Sequence, residues 1–160
     1  MVFRFSNLAC ESYNEKLFVF HSCRLKAISR DKVTMNMNGT VMYSGKNIKF
    51  HVRIFKRENG FKPWLFNVKF DGCRFMQKRN VPIIKILFNS FKEYSNLNHT
   101  CPFVGPLIIQ GFYLKPELLV LPIPTGEYMI SFRWFYDDKL QSDLNVSFVY
   151  VEDIKVGETK

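Results

Sequence analysis

Apolar and polar residues alternate with a period of two through most of this sequence. Such a period places one set of side chains on the buried face of a β-strand and the other set on its outer face. The alternation predicts strands over residues 2–8, 17–28, 33–43, 48–54, 64–70, 128–136 and 144–150. The sequence therefore predicts a mainly β protein with about seven to nine antiparallel strands, arranged as a sandwich or cup.

Turn residues between these strands predict how the strands are connected. Residues 12–15 predict a hairpin between the first two strands, and residues 44–47 predict another that pairs strand 48–54 with the strand before it. Polar turns are also expected at residues 58–60 and at Asp137 and Asp138. The pair Asn38-Gly39 is a turn signal too, but the alternation continues through it, so we predict a bulge or kink there.

One segment follows a helical period instead of the strand period. Its apolar residues recur at spacings of three and four, at Ile83, Ile84, Leu87, Phe88, Phe91 and Tyr94. Asn80 is placed to cap a helix, and Pro82 falls in its first turn. The spacing predicts one short helix over residues 82–95.

Proline content and chain length complete the predicted organisation. Five prolines predict loops and edge strands between residues 101 and 126, namely Pro102, Pro106, Pro116, Pro122 and Pro124. The 160-residue length fits one domain, which we place at residues 1–156, followed by a frayed tail at 157–160.

The four cysteines are candidates for disulfides. Four cysteines allow three pairings, and the sequence alone does not choose among them. We favour local pairing of Cys10 with Cys23, which would staple the first hairpin, and of Cys73 with Cys101, which would tie the helix to its sheet. The alternative is four free thiols.

Three glycosylation sequons begin at Asn38, Asn98 and Asn145, and the alternation places Asn38 and Asn145 on outer faces. Together with an even number of cysteines, they favour a secreted, extracellular protein. Residues 1–9 are too short and too polar for a signal peptide, so we expect the sequence to begin near a mature N-terminus, with a cytosolic protein as the alternative.

Charge and motifs indicate which functions to expect. The 23 Lys and Arg residues outnumber the 14 Asp and Glu residues, for a formal net charge of +9. They are spread along the chain in alternation with apolar residues, so we do not expect nucleic-acid binding. No stretch approaches the roughly 18 apolar residues of a membrane span, so no stable membrane insertion is expected.

Nothing in the sequence predicts an enzyme, a metal site or a cofactor. His21, His51 and His99 lie far apart and share no metal-binding spacing with the cysteines. His51 falls among the outer positions of its strand, so we expect a solvated side chain and not a general base.

Several segments resemble a large insect family of small secreted proteins of unknown function, which includes the chemosensory B proteins of flies. The segments are residues 10–11, 23–27, 59–63, 71–75, 94–102 and 124–128, and Asn98-His99-Thr100-Cys101-Pro102 is the most specific part. The family is similar, more distantly, to ML lipid-recognition domains and the ganglioside-activator protein. The resemblance implies an immunoglobulin-like ML-type sandwich that holds an apolar ligand, extracellular location, a role in lipid or pheromone handling, and no catalysis.

The alternation and the predicted helix supply the candidate ligand contacts, which are all inward aromatic residues: Phe50, Trp64, Phe66, Phe70, Phe88, Phe91, Phe132, Trp134 and Phe148. Basic residues at the mouth, Lys56, Arg57, Lys62 or Lys85, would meet an acidic headgroup. The leading hypothesis is a carrier or presenter of an apolar small molecule or lipid. The alternative is a secreted interaction module with a filled core that binds an extracellular receptor.

Overall fold

The computed structural model describes residues 2–45, 47–115 and 123–152. Within these ranges the chain forms eight β-strands, namely β1 (Val2–Ser12), β2 (Phe18–Ser29), β3 (Lys32–Val41), β4 (Ile48–Glu58), β5 (Gly60–Asp71), β6 (Gly105–Phe112), β7 (Gly126–Tyr136) and β8 (Lys139–Val151). It also forms two helices, α1 (Gly72–Lys78) and α2 (Pro82–Phe91), and a 3₁₀ turn at Lys92–Tyr94. The predicted tail, residues 157–160, and Pro116 and Pro122 lie outside the described residues.

The strands form two antiparallel sheets that face each other. The large sheet has the order β1-β8-β7-β4-β5, and the small sheet has the order β2-β3-β6. Apolar side chains from the inner faces of both sheets pack together, as Phe5 of β1 does with Phe112 of β6 at 5.3 Å between ring centroids. The prediction of a mainly β sandwich is confirmed.

Two predicted hairpins are wrong, because the chain crosses between the sheets at both places. β3 pairs with β2 and β6, while β4 pairs with β5 and β7. β1 pairs with β8 and not with β2. At the β3–β4 connection, Gly45 lies so close to the ring of Tyr136 that a Cβ there would be 1.9 Å from a ring carbon. The connection therefore packs onto the end of the large sheet instead of turning back along β3.

Other predicted turns are present. Gly60, with φ 80°, closes the β4–β5 hairpin, and Asp137 and Asp138, with φ 47° and 64°, close the β7–β8 hairpin. β3 continues through Asn38-Gly39 without a turn, as predicted, but the extra residue lies on the neighbouring strand, where His21 bulges out of β2 opposite this pair.

The helical prediction is correct for the start of α2, but α2 ends at Phe91 and is followed by the 3₁₀ turn, so the predicted end at residue 95 is wrong. α2 begins at Pro82 and ends at Phe91, but its N-cap is Val81, which makes no side-chain capping bond, so the cap predicted at Asn80 is wrong. The sequence prediction missed α1, whose N-cap Asp71 accepts a hydrogen bond from the Arg74 amide at 3.0 Å. α1 spans only 7 residues, too few for a helical period to stand out.

Two disulfides link the elements, Cys10–Cys23 and Cys73–Cys101, the pairing favoured from the sequence. Their structural roles differ from those expected. The first joins β1 of the large sheet to β2 of the small sheet, because these strands are not a hairpin. The second joins α1 to the loop after the 3₁₀ turn, and neither of its cysteines lies on a strand.

The two edges of the sandwich are therefore unlike each other. At one edge β1 lies against β2, and the first disulfide joins them. At the other edge α1 packs on β4 and β5, while the 3₁₀ turn packs on β6. The segment of residues 72–103, which we call the helical wall, thus spans the space between β5 and β6.

A candidate ligand cavity between the sheets

A cavity of about 260 Å³, partly open to solvent, lies between the two sheets and the helical wall. All three layers line it. The large sheet contributes residues such as Phe132 and Val146, the small sheet Met35 and Ile109, and the helical wall Phe88. The space exists because the β5 and β6 edges are separated by helices and do not close on each other.

Seven of the nine aromatic residues predicted to contact a ligand line this cavity. They are Phe50, Phe70, Phe88, Phe91, Phe132, Trp134 and Phe148. Trp64 and Phe66 are not among the lining residues. The register of β5 shifts between these positions, with Leu65 in the left-handed conformation at φ 49°. Trp64 packs against Tyr128 instead, with 5.2 Å between ring centroids.

The prediction missed the lining residues of β1, the small sheet and α1. These include Phe3, Phe5, Phe18, Phe20, Met37, Phe75, Met76 and Phe112. The alternation already placed Met37 on an inner face of β3, so the signal for part of this set was present. The sequence pattern does not indicate that the small sheet faces β4 and β7 across a cavity.

A row of phenylalanine rings forms the helical side of the cavity. Phe75 lies 5.5 Å from Phe70 of β5 and 6.0 Å from Phe88, between ring centroids. The row continues from Phe88 to Phe91 at 5.3 Å and from Phe91 to Phe112 of β6 at 6.1 Å. The first three of these pairs are edge-to-face and the last is tilted, and edge-to-face packing adds about 0.5–1.5 kcal/mol per pair beyond area burial. It fixes the wall between the two sheet edges.

The lining contains almost no polar groups. No charged residue lines the cavity within the described part of the chain. Ser90 lines it, but its hydroxyl donates to the carbonyl oxygen of Leu87 at 2.5 Å. Ser142 and Trp134, which face each other in the β7–β8 register, supply the other polar groups. Trp134 Nε1 is a buried donor without a hydrogen-bond partner among the described residues.

The four basic residues expected at the mouth do not line the cavity. The ammonium group of Lys56 lies over the ring of Trp64 at 5.6 Å, and Arg57 forms an ion pair with Glu127 at 2.8 Å. Lys62 and Lys85 are exposed, and none of the four lines the cavity. Their predicted contact with a headgroup outside the lining stays a prediction.

The outer face of the large sheet carries a partly buried polar network. His51, expected to be solvated, is only 9 % exposed, and its ring shares a hydrogen bond with Asn67 of β5. Next to it, burial and the nearby charge of Arg133 lower the pKa of Arg53. Arg133 in turn lies 3.4 Å from the carboxylate of Asp143. The prediction for His51 is wrong because neighbouring long side chains cover this face.

Tyr13 completes this network at the β1 end. Its hydroxyl donates to Asp143 at 2.7 Å and lies 3.1 Å from a carboxylate oxygen of Glu11. The hydrogen bond to Asp143, together with burial and the bond to Glu11, raises the pKa of Tyr13 well above its ordinary value. The hydroxyl stays protonated because the two carboxylates favour its neutral form.

The predicted glycosylation sites differ in exposure. Asn38 and Asn98 are exposed. Asn145 lies on the outer face, as expected, but is half-buried, and its side-chain oxygen is buried without a partner among the described residues. Ser147 of the same sequon is only 4 % exposed. Access to the third site is therefore restricted in the folded protein.

Other features limit the chemistry of the described residues. No cluster of three or more His, Cys, Asp and Glu side chains within them is arranged to hold a metal ion. Among the same residues, no helix has the length and apolar composition needed to span a bilayer. Two disulfides are typical of proteins that mature outside the cytosol.

Comparison with known proteins places the sequence in one family. No curated protein matches the sequence. Residues 50–130 match a family model described as "Protein of unknown function (DUF1091)". This match covers just over half of the 160 residues and runs from β4 through the helical wall and β6 into β7. The chain therefore belongs to the DUF1091 family of proteins of unknown function.

Proposed function

We propose that this protein carries or presents an apolar ligand in the cavity between its sheets. The observation that supports the proposal is the cavity itself, about 260 Å³ in volume and without a charged lining residue among those described. An apolar cavity of roughly 150 Å³ stays dry and takes up benzene-sized molecules, and pockets for drug-sized ligands measure about 300–1,000 Å³. The present volume suits a single apolar chain of intermediate size.

The apolar surface of the cavity also supports a ligand. The cavity is partly open to solvent, and the side chains that line it are almost all apolar. A ligand that covers them is favoured, since burial of apolar surface contributes about 25 cal/mol per Å².

The proposed setting is extracellular. The two disulfides and the exposed sequons at Asn38 and Asn98 support secretion. The resemblance to the insect family that includes the chemosensory B proteins, and more distantly to ML lipid-recognition domains, supports a role in lipid or pheromone handling around chemosensory tissue. The protein acts in this proposal by binding and release, without catalysis.

A second candidate function is binding to an extracellular protein. The observation that favours it is Leu65, which is 62 % exposed and in the left-handed conformation on β5, an outer strand of the large sheet. An outer strand leaves unpaired backbone N–H and C=O groups that can pair with a strand of another chain, which would also cover Leu65. A receptor would then bind at this edge, and the cavity would have no ligand.

The two tryptophans provide a direct test, because the sequence contains only 2 and only Trp134 lines the cavity. Protein secreted from insect cells is examined by native mass spectrometry for bound apolar molecules. The Trp64→Phe variant, with Trp134 as its sole tryptophan, is then titrated with apolar compounds under selective excitation of tryptophan. We expect a saturable change in emission, and a much smaller change in the matched Trp134→Phe variant. Absence of any bound or exchangeable apolar molecule would refute the carrier function and favour the second candidate.

A further inference from the structure

Arg79 belongs to the helical wall, where it is the C-cap of α1. It follows the last residue of α1 and adopts the left-handed conformation, with φ 52°. Its amide donates to the carbonyl oxygen of Phe75 at 2.8 Å, which ends the helix. A left-handed residue is a common way for a helix to end, so this conformation reflects the cap and is not in itself a sign of a ligand.

The Arg79 side chain contacts three residues that line the cavity. Its guanidinium lies 4.5 Å from the ring centroid of Phe88 and 5.5 Å from that of Phe75. One of its terminal nitrogens lies 3.3 Å from the sulfur of Met76. The other terminal nitrogen donates to the side-chain oxygen of Asn98 at 2.9 Å. Among the described residues, Arg79 is the cation that lies over rings lining the cavity. The other cation–ring contacts involve aromatic residues that do not line it.

Arg79 is half-buried and has no acidic partner among the described residues. The ion pairs of that part of the chain involve Lys49, Arg57, Lys115 and Arg133. A guanidinium carries five N–H donors in a planar fork, and Asn98 and Met76 engage its two terminal nitrogens only in part. The remaining donors match the geometry of a carboxylate, which arginine binds with two parallel hydrogen bonds.

We infer that Arg79 binds the headgroup of an acidic ligand, a single apolar chain that ends in a carboxylate. The inference rests on the proposed function and names its ligand class. The chain lies in the cavity, where no described lining residue is charged. An ionised carboxylate there would be unpaired and desolvated, at a large cost in free energy. The carboxylate therefore stays at the helical wall, where the guanidinium of Arg79 pairs with it.

The test compares a medium-length saturated fatty acid with the alcohol of the same chain length. Dissociation constants are measured by calorimetry at neutral pH for the wild type and for Arg79→Met, Arg79→Lys and Lys78→Met. Met keeps an apolar stem over the rings and removes the charge, and Lys keeps the charge without the fork. Lys78→Met is the matched control, because Lys78 is exposed and directly precedes Arg79.

The wild type is expected to prefer the acid by about tenfold, as one charge-assisted hydrogen-bond pair contributes. Arg79→Met is expected to lose this preference and keep its affinity for the alcohol, Arg79→Lys to retain part of it, and Lys78→Met to behave as the wild type. Three results would overturn the inference and leave the carrier function intact. They are equal binding of the acid and the alcohol by the wild type, a preference for the acid that survives in Arg79→Met, and a preference that also disappears in Lys78→Met. Failure of both compounds to bind the wild type overturns both. Circular dichroism checks that each variant is folded, and Arg79→Lys provides a second test should Arg79→Met not fold.

Discussion

Filling the cavity with a larger side chain should make the protein more stable. Val146 of β8 is 5 % exposed, lines the cavity, and lies between Leu8 of β1 and Ile130 of β7 in the large sheet. Val146→Phe adds roughly four carbons, and each buried methylene contributes about 0.8 kcal/mol, so the upper limit of the gain is about 3 kcal/mol. Side-chain ordering and imperfect fit reduce this to about 1 kcal/mol.

The same substitution at Val52 is the control. Val52 is 1 % exposed, is paired with Val68 and Phe132, and does not line the cavity. A larger side chain there has no space and should cost about 1–3 kcal/mol. Valine and phenylalanine both favour strands, so strand propensity does not separate the two variants.

Thermal and urea unfolding, followed by circular dichroism, measure both variants. For a chain of this length 1 kcal/mol corresponds to about 2–4 °C in Tm, so we expect Val146→Phe to melt about 3 °C higher than the wild type and Val52→Phe to melt lower. Val146→Phe should also bind apolar ligands more weakly, because it occupies their space. If Val146→Phe is destabilised as much as Val52→Phe, the space between the sheets is not available and the reasoning is refuted.

Two further predictions concern the disulfides and the outer polar network. Replacing Cys73 and Cys101 together by Ala should lower the free energy of unfolding by about 3.5 kcal/mol, since the bond closes a loop with a sequence separation of 28. Urea unfolding measures this loss, and a loss below about 1 kcal/mol would contradict the expected loop-closure entropy. The raised pKa of Tyr13 gives a stabilisation that is fully present below its ordinary pKa of 10.0 and is lost as the pH rises above it. Tyr13→Phe should therefore lower stability slightly at neutral pH and reduce the decline of Tm above about pH 10. A decline of Tm above about pH 10 that is the same in the variant and the wild type would show that Tyr13 does not contribute to that decline.

The faces of the strands were predictable from the sequence because the period of two is a local property. On β3, Met35 and Met37 are buried and Asn38 is exposed, as the alternation indicates. The start of α2 at Pro82 was predictable for the same reason, since a helical period and a proline at the first turn are local signals.

Strand neighbours were predictable from turns only in part, because the turns of the β4–β5 and β7–β8 hairpins were found while the hairpins predicted between β1 and β2 and between β3 and β4 were wrong. Val2 pairs with Val151, a contact between opposite ends of the chain that no turn encodes. The same limit explains why Cys10–Cys23 was expected to staple a hairpin, when β1 and β2 belong to different sheets. Which strands share a sheet depends on packing between the whole inner faces, and a short loop is compatible with either a hairpin or a crossing.

The candidate site was predictable in part. The inward aromatic residues of β4, β7 and β8 were found, because each strand's alternation identifies them separately. Phe75 was missed because α1 is short, and Arg79 because its importance depends on contacts between α1, α2 and the loop carrying Asn98. The burial of His51 depends on side chains from neighbouring strands, which a single strand's pattern does not contain.

The disulfide Cys73–Cys101 has a consequence for how this fold diverges. It covalently joins positions near the two ends of the helical wall, so most of this side of the cavity is one closed loop of continuous sequence. Within that loop, residues 74–94 take no part in the strand pairs of the described residues, whereas Ser95 bridges to Ile109 of β6. We therefore expect a chimera that exchanges residues 74–94 between family members to change the lining on this side of the cavity while the strand pairs of the recipient remain.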